Sequence, residues 1–300
     1  MQIAAFTVKG PWYKGNLHTH TTNSDGRFAP QATVDLYAQG GYDFLAISDH
    51  NTVTDVADLD GRGMALIPSI EMHGGVAEMG QDYHLVCIGA KGPTLPIPPG
   101  TAAQDAVDYV RAAGRLVFAA HPYWSSLTTR DLIDIEGFNG VEVYNNTCEC
   151  GIGRGHSEPH VDALLARGRK ILLTAVDDAH FGYWDGLGAW VMVRAAQLDV
   201  PSLLDAIEAG HFYATTGPEI KVVEVRDDIV HVECSPVRTV ALVTPWPGCG
   251  WSTGRMRAQG AEDPKIVEID LPLHDGDRGF RVEVVDAHGR RAWTNMTVAE

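Results

Sequence analysis

Long apolar runs are missing from this sequence. None approaches the roughly 18–20 residues that span a bilayer, and residues 1–15 lack the apolar core of a secretory leader, so a cytoplasmic protein without membrane contact is expected. A disulfide framework is missing too. Five cysteines, an odd number in scattered positions, read as reduced thiols, and the close pair Cys148-x-Cys150 reads as loop thiols. Basic charge is scarce: 23 Lys and Arg against 39 Asp and Glu leave a net charge of −16. That field repels nucleic acid and anionic membranes, and no basic stripe or base-stacking motif offsets it. It also opposes phosphate at long range, so any affinity for anions must come from local arginines or metals. Internal repeats and low-complexity segments are absent as well.

What is present is an ordinary globular composition, 45% apolar and 21% charged over 300 residues, enough for one large domain or two moderate ones. Apolar strand-like runs alternate with helical patterns. Pro30 opens a helix that ends at Gly40-Gly41, and 42–48 reads as a buried strand. Strands follow at 64–70, 83–88, 115–120, 140–144, 170–176 and 189–193, with helices at 102–113, 157–167 and 201–209. Such alternation implies a parallel sheet, and this many units favour closure into a barrel. From about residue 216 the helical periodicity vanishes. Short strands at 220–225, 229–233, 239–243, 266–271, 280–285 and 292–298 suggest a small antiparallel β-sandwich over 216–300, with 246–264 as loop.

The organising stretch is His18-Thr19-His20, followed by the turn Ser24-Asp25-Gly26. On a strand, alternation puts both imidazoles on one face, half of a metal site. Ionisable residues recur just after the later apolar runs: His50, Glu71, His121, Asp178 and His180. Strand carboxyl ends converge on one face of a βα barrel. Ordinary loop openings would explain Asp, Ser, Asn and Gly there, but not so many histidines. The convergence therefore reads as a metal cluster of imidazoles and carboxylates, suited to Zn, Mn or Fe.

The ordered set His18-Thr19-His20 with Ser24-Asp25-Gly26, Ser48-Asp49-His50-Asn51, Glu71, His84, Ala120-His121-Pro122 and Asp178-Ala179-His180 resembles the PHP (polymerase and histidinol phosphatase) family over roughly residues 12–215. The resemblance implies a distorted (β/α)7 TIM-like barrel over 1–215, with two or three divalent metal ions that serve phosphate-ester hydrolysis. By motif, His18, His20, Glu71 and Asp178 would bind one ion; Glu71, His84 and His121 a second; Asp25, His50 and His180 a third. The tail, 212–218 and 291–295, is similar to a branch with a C-terminal β domain that includes carbaryl-hydrolase-type enzymes.

The chemistry expected is hydrolysis of a small-molecule phosphate ester, with Glu71, His180 and Asp49 as catalytic candidates. Asp49 and Asp177 each read equally as orienting an imidazole or as part of a turn. The segment 145–158 reads as a polar, Gly-rich specificity lid carrying Arg154 and His156 as substrate contacts, with Arg130 a further candidate. Tyr123, Trp124, Phe181 and Trp184 line an organic pocket on this reading or simply pack. His73, His156, His160 and His211 lie off the ligand motifs, and His231, His274 and His288 fall in the β region without a catalytic role. Two alternatives stay open: a carboxyl-ester or carbamate hydrolase using the same centre, and a non-catalytic metal-binding interaction module. The β region could also mediate oligomerisation.

Overall fold

The computed structural model describes residues 2–244, 265–273 and 279–297; the loop reading for 246–264 and His274 lie outside these. A short helix α1 (Ala4–Thr7) precedes β1 (Trp12–Asn16), α2 (Pro30–Gln39), β2 (Phe44–Ile47), β3 (Ala65–Val76) and β4 (Asp82–Ile88). Then come α3 (Ala103–Ala113), β5 (Leu116–Ala119), α4 (Thr129–Ile133), β6 (Gly140–Asn145), α5 (Asn146–Ile152), α6 (Glu158–Ala166) and β7 (Leu172–Val176). The remainder is β8 (Trp190–Arg194), α7 (Val200–Glu208), β9 (Phe212–Thr215), β10 (Ile220–Arg226), β11 (Ile229–Val237), β12 (Thr239–Val243), β13 (Ile266–Pro272), β14 (Arg281–Val285) and β15 (Arg291–Thr294).

The apolar runs became strands because both faces are covered: every residue of β2, β5 and β6 is buried. Proline near the first helical position opens α2, and the Asp199 side chain caps α7 by accepting from Ser202 N at 2.7 Å. β1, β2 and β3 run parallel, as do β5, β6 and β7, whereas β4 is antiparallel to both of its neighbours. Beyond the ends of β7 and β1 the chain is stitched by a parallel Thr19–Ala179 bridge and by the bonds His20 N to Ala179 O and Asp178 N to His18 O. That stitch brings the residues after the first and seventh strands together.

The fold is thus mixed α/β, a twelve-stranded sheet of mixed parallel and antiparallel strands with a smaller three-stranded antiparallel one (β10-β11-β13). Three expectations change. The run at 83–88, β4, breaks the parallel series by pairing antiparallel on both sides. The run at 189–193 does not continue the parallel series: β8 pairs antiparallel with β1 and β9, and its alternating burial is that of a strand with one covered face. Through β9 the large sheet continues into β15, β14 and β12. In the β region β10, β11 and β13 form a sheet of their own, while β12, β14 and β15 extend the sheet that carries β1–β7. Val223, Val230 and Val232 meet Val240, Val282 and Val284 in the shared core, which Ile3 also enters. Among the described residues no helix is long and apolar enough to cross a membrane.

Candidate metal centre

His18 and His20 follow the end of β1, on either side of Thr19, which bridges to Ala179. Their Nε2 atoms lie 3.1 Å apart, and both approach Glu71 Oε2 (3.1 and 3.2 Å) and Asp178 Oδ1 (3.2 and 2.9 Å). Edges of this length match a tetrahedron of ligands held about 2.0–2.1 Å from a shared ion, whose edges are about 3.3 Å. The other oxygen of Glu71 faces His84 Nδ1 at 2.8 Å and His121 Nε2 at 3.3 Å. A third group gathers on Asp25 Oδ1, with His180 Nε2 at 3.3 Å, His50 Nε2 at 3.5 Å and His20 Nδ1 at 4.0 Å. All nine ligand candidates thus meet in three overlapping donor groups.

Several imidazoles are held in one orientation by their other nitrogen. His18 Nδ1 faces Glu142 Oε1 at 2.7 Å, His121 Nδ1 faces Ser125 Oγ at 3.0 Å, and His180 Nδ1 faces Asp178 O at 2.8 Å. Each arrangement points Nε2 at the centre. Glu142 also accepts from His121 N and Asn145 Nδ2, so one buried carboxylate braces two ligands. Sequence reading passed over Glu142 because a lone acid inside an apolar strand follows no ligand motif. Strand alternation was the available signal.

Backbone conformation is spent here as well. Asp178 (φ 56°) and His121 (φ 26°) are non-glycine residues in the left-handed region, where strain concentrates at functional sites. Asp177 supports that turn by accepting the N–H groups of Leu187, Gly188 and Ala189 at 2.8 Å each, as well as the Tyr37 hydroxyl. Burial raises its carboxyl to about 6. At Gly26 a Cβ would stand 2.6 Å from the His20 carbonyl, so only glycine lets the Asp25 turn pass that close.

The charges explain one another. Burial opposes protonation of His18 and His20, yet the Asp178, Glu142 and Glu71 carboxylates outweigh it, raising His18 well above its usual value and His20 to about 9. Burial likewise works against ionised Glu71 and Asp178, and the facing imidazoles hold both below the ordinary carboxylate range. His84 moves down, through burial and the neighbouring His121 and His73. Converging anionic oxygens demand cations, and soft-to-borderline nitrogen with hard oxygen is a donor set for divalent ions of the Zn, Mn and Fe type. The residues fit the implied metals.

The remaining sequence candidates distribute differently. Asp49 is fully buried with both oxygens engaged, Oδ1 by Thr21 N and Ser24 Oγ, Oδ2 by the Thr21 and Thr54 hydroxyls; it anchors the turn that carries Asp25. The expected lid at 145–158 is mostly helix: the Asn145 side chain caps α5 by accepting from Cys148 N, and Gly153 ends it in the left-handed region. Arg154 turns away, lying over the Tyr123 ring with Nη1 3.4 Å from Ser126 Oγ. His156 pairs with Glu158 at 3.1 Å, and Arg130 with Asp134 on an exposed helix face. Phe181 is buried against Tyr37 and Phe28, and Trp184 is solvent-exposed. A cleft of ≈ 460 Å³ opens over the ligands, walled by Trp124, Thr147, Cys148, Gly151, Ile152 and Tyr183, and its lining contains no Arg or Lys. His73, off the motifs, is in that lining.

No protein-family model matches the chain, and no curated protein matches it. Among solved structures it is similar to a two-domain protein containing a predicted PHP-like metal-dependent phosphoesterase from Bacteroides vulgatus, with 16% identity, 95% of this chain and 93% of that one covered, and a TM-score of 0.52. Weaker likenesses are a protein provisionally assigned as a metal-dependent phosphoesterase from Bifidobacterium adolescentis (17% identity, 67% and 98% covered, TM-score 0.48) and an amidohydrolase from Chromobacterium violaceum (16%, 57% and 89%, TM-score 0.45). The likeness to the Bacteroides protein is one of fold, and it spans nearly the whole of both chains.

Proposed function

We propose that this chain is a metal-dependent hydrolase of ester bonds, foremost a phosphoesterase acting on a small molecule, with β1–β7 acting as a closed, distorted barrel that carries two or three divalent ions at its rim. The observation that supports it best is Glu71: a single fully buried carboxylate whose two oxygens each face their own set of imidazoles, the arrangement a bridging ligand requires. When bound, such ions supply Lewis acidity and a nucleophile from water near neutral pH.

The chain's residues do the rest. His18, His20 and Asp178 hold one position, His84 and His121 a second, and Asp25, His50 and His180 a third, with Glu71 between the first two. Glu142, Ser125 and the Asp178 carbonyl fix the imidazoles of His18, His121 and His180 so that these three need not reorient. His180 lies in the cleft wall with Nε2 directed at Asp25; when the third position holds no ion, that nitrogen is placed to take up a proton near a departing oxygen. Asp49 contributes by fixing the Asp25 turn. Trp124, Ile152 and Tyr183 offer apolar surface to an organic group.

That same surface, with no cation in the lining, favours a second reading: hydrolysis of a neutral carboxyl ester or carbamate. Elemental analysis coupled to turnover of matched aryl phosphate monoester, phosphate diester, carboxyl ester and carbamate separates the two. We expect divalent metal to copurify and the phosphate esters to be cleaved, with Glu71→Ala losing both metal and turnover. Cleavage confined to the carboxyl ester and carbamate reverses the order of the readings. Metal without turnover of any substrate favours an interaction module, and full activity of Glu71→Ala removes the hydrolytic proposal.

A further inference from the structure

His73 belongs to none of the three donor groups built from the sequence motifs, yet β3 runs on past Glu71 and carries it into the centre. Glu71 and His73 are two residues apart on one strand and so share a face, the spacing of His18 and His20. Antiparallel pairing with β4 sets His73 directly opposite His84, and the two rings stack at 3.8 Å. On the other side His73 meets the His50 ring edge-on at 4.5 Å. Its Nε2 is buried, 3.6 Å from Glu71 Oε1, and has no hydrogen-bond partner among the described residues. His50 Nδ1 is in the same condition: it lies 3.0 Å from Glu71 Oε2 without the alignment of a hydrogen bond. Two buried imidazole nitrogens therefore converge, unpartnered, on the two oxygens of one anionic carboxylate. A neutral imidazole nitrogen left so is destabilising unless a cation takes its lone pair or an acceptor takes its proton.

We propose that His50 Nδ1, His73 Nε2 and Glu71 form a further divalent-cation position, beside the three donor groups and sharing ligands with them; the inference rests on the metal reading of the centre. The three atoms lie close enough to one another to share an ion. Because His50 also offers Nε2 to Asp25, its ring can serve the new position or the Asp25–His180 one, so His73 gives the cluster a choice of occupancies that its nine motif residues lack. The position lies in the cleft lining, where an ion would face an incoming substrate.

The test is a titration of the full chain, stripped of metal by chelation, with Zn²⁺, followed through the ring ¹H–¹⁵N signals of the histidines. The expected result is that His73 Nε2 takes the shift of a coordinated nitrogen, in a step after the His18 and His20 signals have moved. In His73→Gln that step moves to at least 10-fold higher Zn²⁺ and metal analysis shows reduced Zn²⁺ uptake, while the early steps remain. His73→Asn serves if the glutamine variant fails to fold. Unmoved His73 signals at saturating Zn²⁺, with His18 and His20 shifted, would overturn the proposal alone. If no histidine of the cluster responds, the metal reading itself fails.

Discussion

Single residues decide whether this centre holds metal, and Glu142 is the sharpest case. It is almost wholly buried, takes the Nδ1 side of His18, and accepts from His121 N and Asn145 Nδ2. Partners that orient a ligand imidazole typically sustain 10–100-fold of metal affinity. Glu142→Gln keeps the volume but removes the charge that favours a proton on His18 Nδ1. The expected outcome is a 10–100-fold weaker Zn²⁺ or Mn²⁺ Kd by competition with a chromophoric chelator, with the fold preserved by circular dichroism; an unchanged Kd would deny Glu142 this role. Most of the nine motif candidates were legible because an ionisable residue stands where an apolar run should end, whereas His84, inside β4, was marked only by the ordered motif set. His73 and Glu142 carried neither mark: both sit inside strands, and only alternation from Glu71 or knowledge of the strand neighbours points them inward. Arg154 was read as a clamp from its guanidinium and its place in a polar, Gly-rich segment, and neither says which way a side chain leaves a helix end.

At the level of elements, the α5 cap links folding to the site. Asn145 closes β6 and opens α5: its side-chain oxygen accepts from Cys148 N, while its amide donates to Glu142 and Asp178. Asn145→Ala removes the cap and both donors. Loss of a cap costs about 0.5–2 kcal/mol, so a fall of at least that size is expected in denaturant unfolding of the metal-free protein. Asn145→Asp keeps the cap acceptor but sets a carboxylate beside two others, so it should retain helix while becoming more dependent on metal for stability. Equal stability of all three proteins with and without metal would break this link. Here the sequence misled in an instructive way: Asn145-Asn146 and the glycines at 151, 153 and 155 look like a loop, yet one side-chain cap and one left-handed Gly153 suffice to bound a helix between them. The buried strands were plain because continuous apolar runs of this length admit little else, whereas the antiparallel turn of β4 and the pairing of β8 depend on partners distant in the chain.

The whole molecule adds two constraints that no element shows. The first is continuity: Trp293, on β15 in the β region, is fully buried in the core of the β1–β7 region and stacks on Tyr144 at 6.0 Å. Asn295 donates to Gly210 O and Phe212 O and accepts from Leu173 N. Trp293→Ala is therefore expected to cost about 3–5 kcal/mol within a single cooperative unfolding transition. Two separable transitions would show that the regions fold apart. The second constraint is the field. A net charge of −16 surrounds a cleft whose lining has no Arg or Lys, so an anionic substrate approaches against repulsion while a neutral one does not. Raising salt from about 10 to about 200 mM shortens the Debye length from about 30 Å to under 10 Å and screens that repulsion. With divalent metal held saturating, kcat/KM for a phosphate ester should rise several-fold over this range, while that for a carboxyl ester or carbamate with the same leaving group stays flat. A phosphate ester whose kcat/KM falls with salt would mean that the field at the cleft is positive, set by bound ions that more than cancel the charge of the chain.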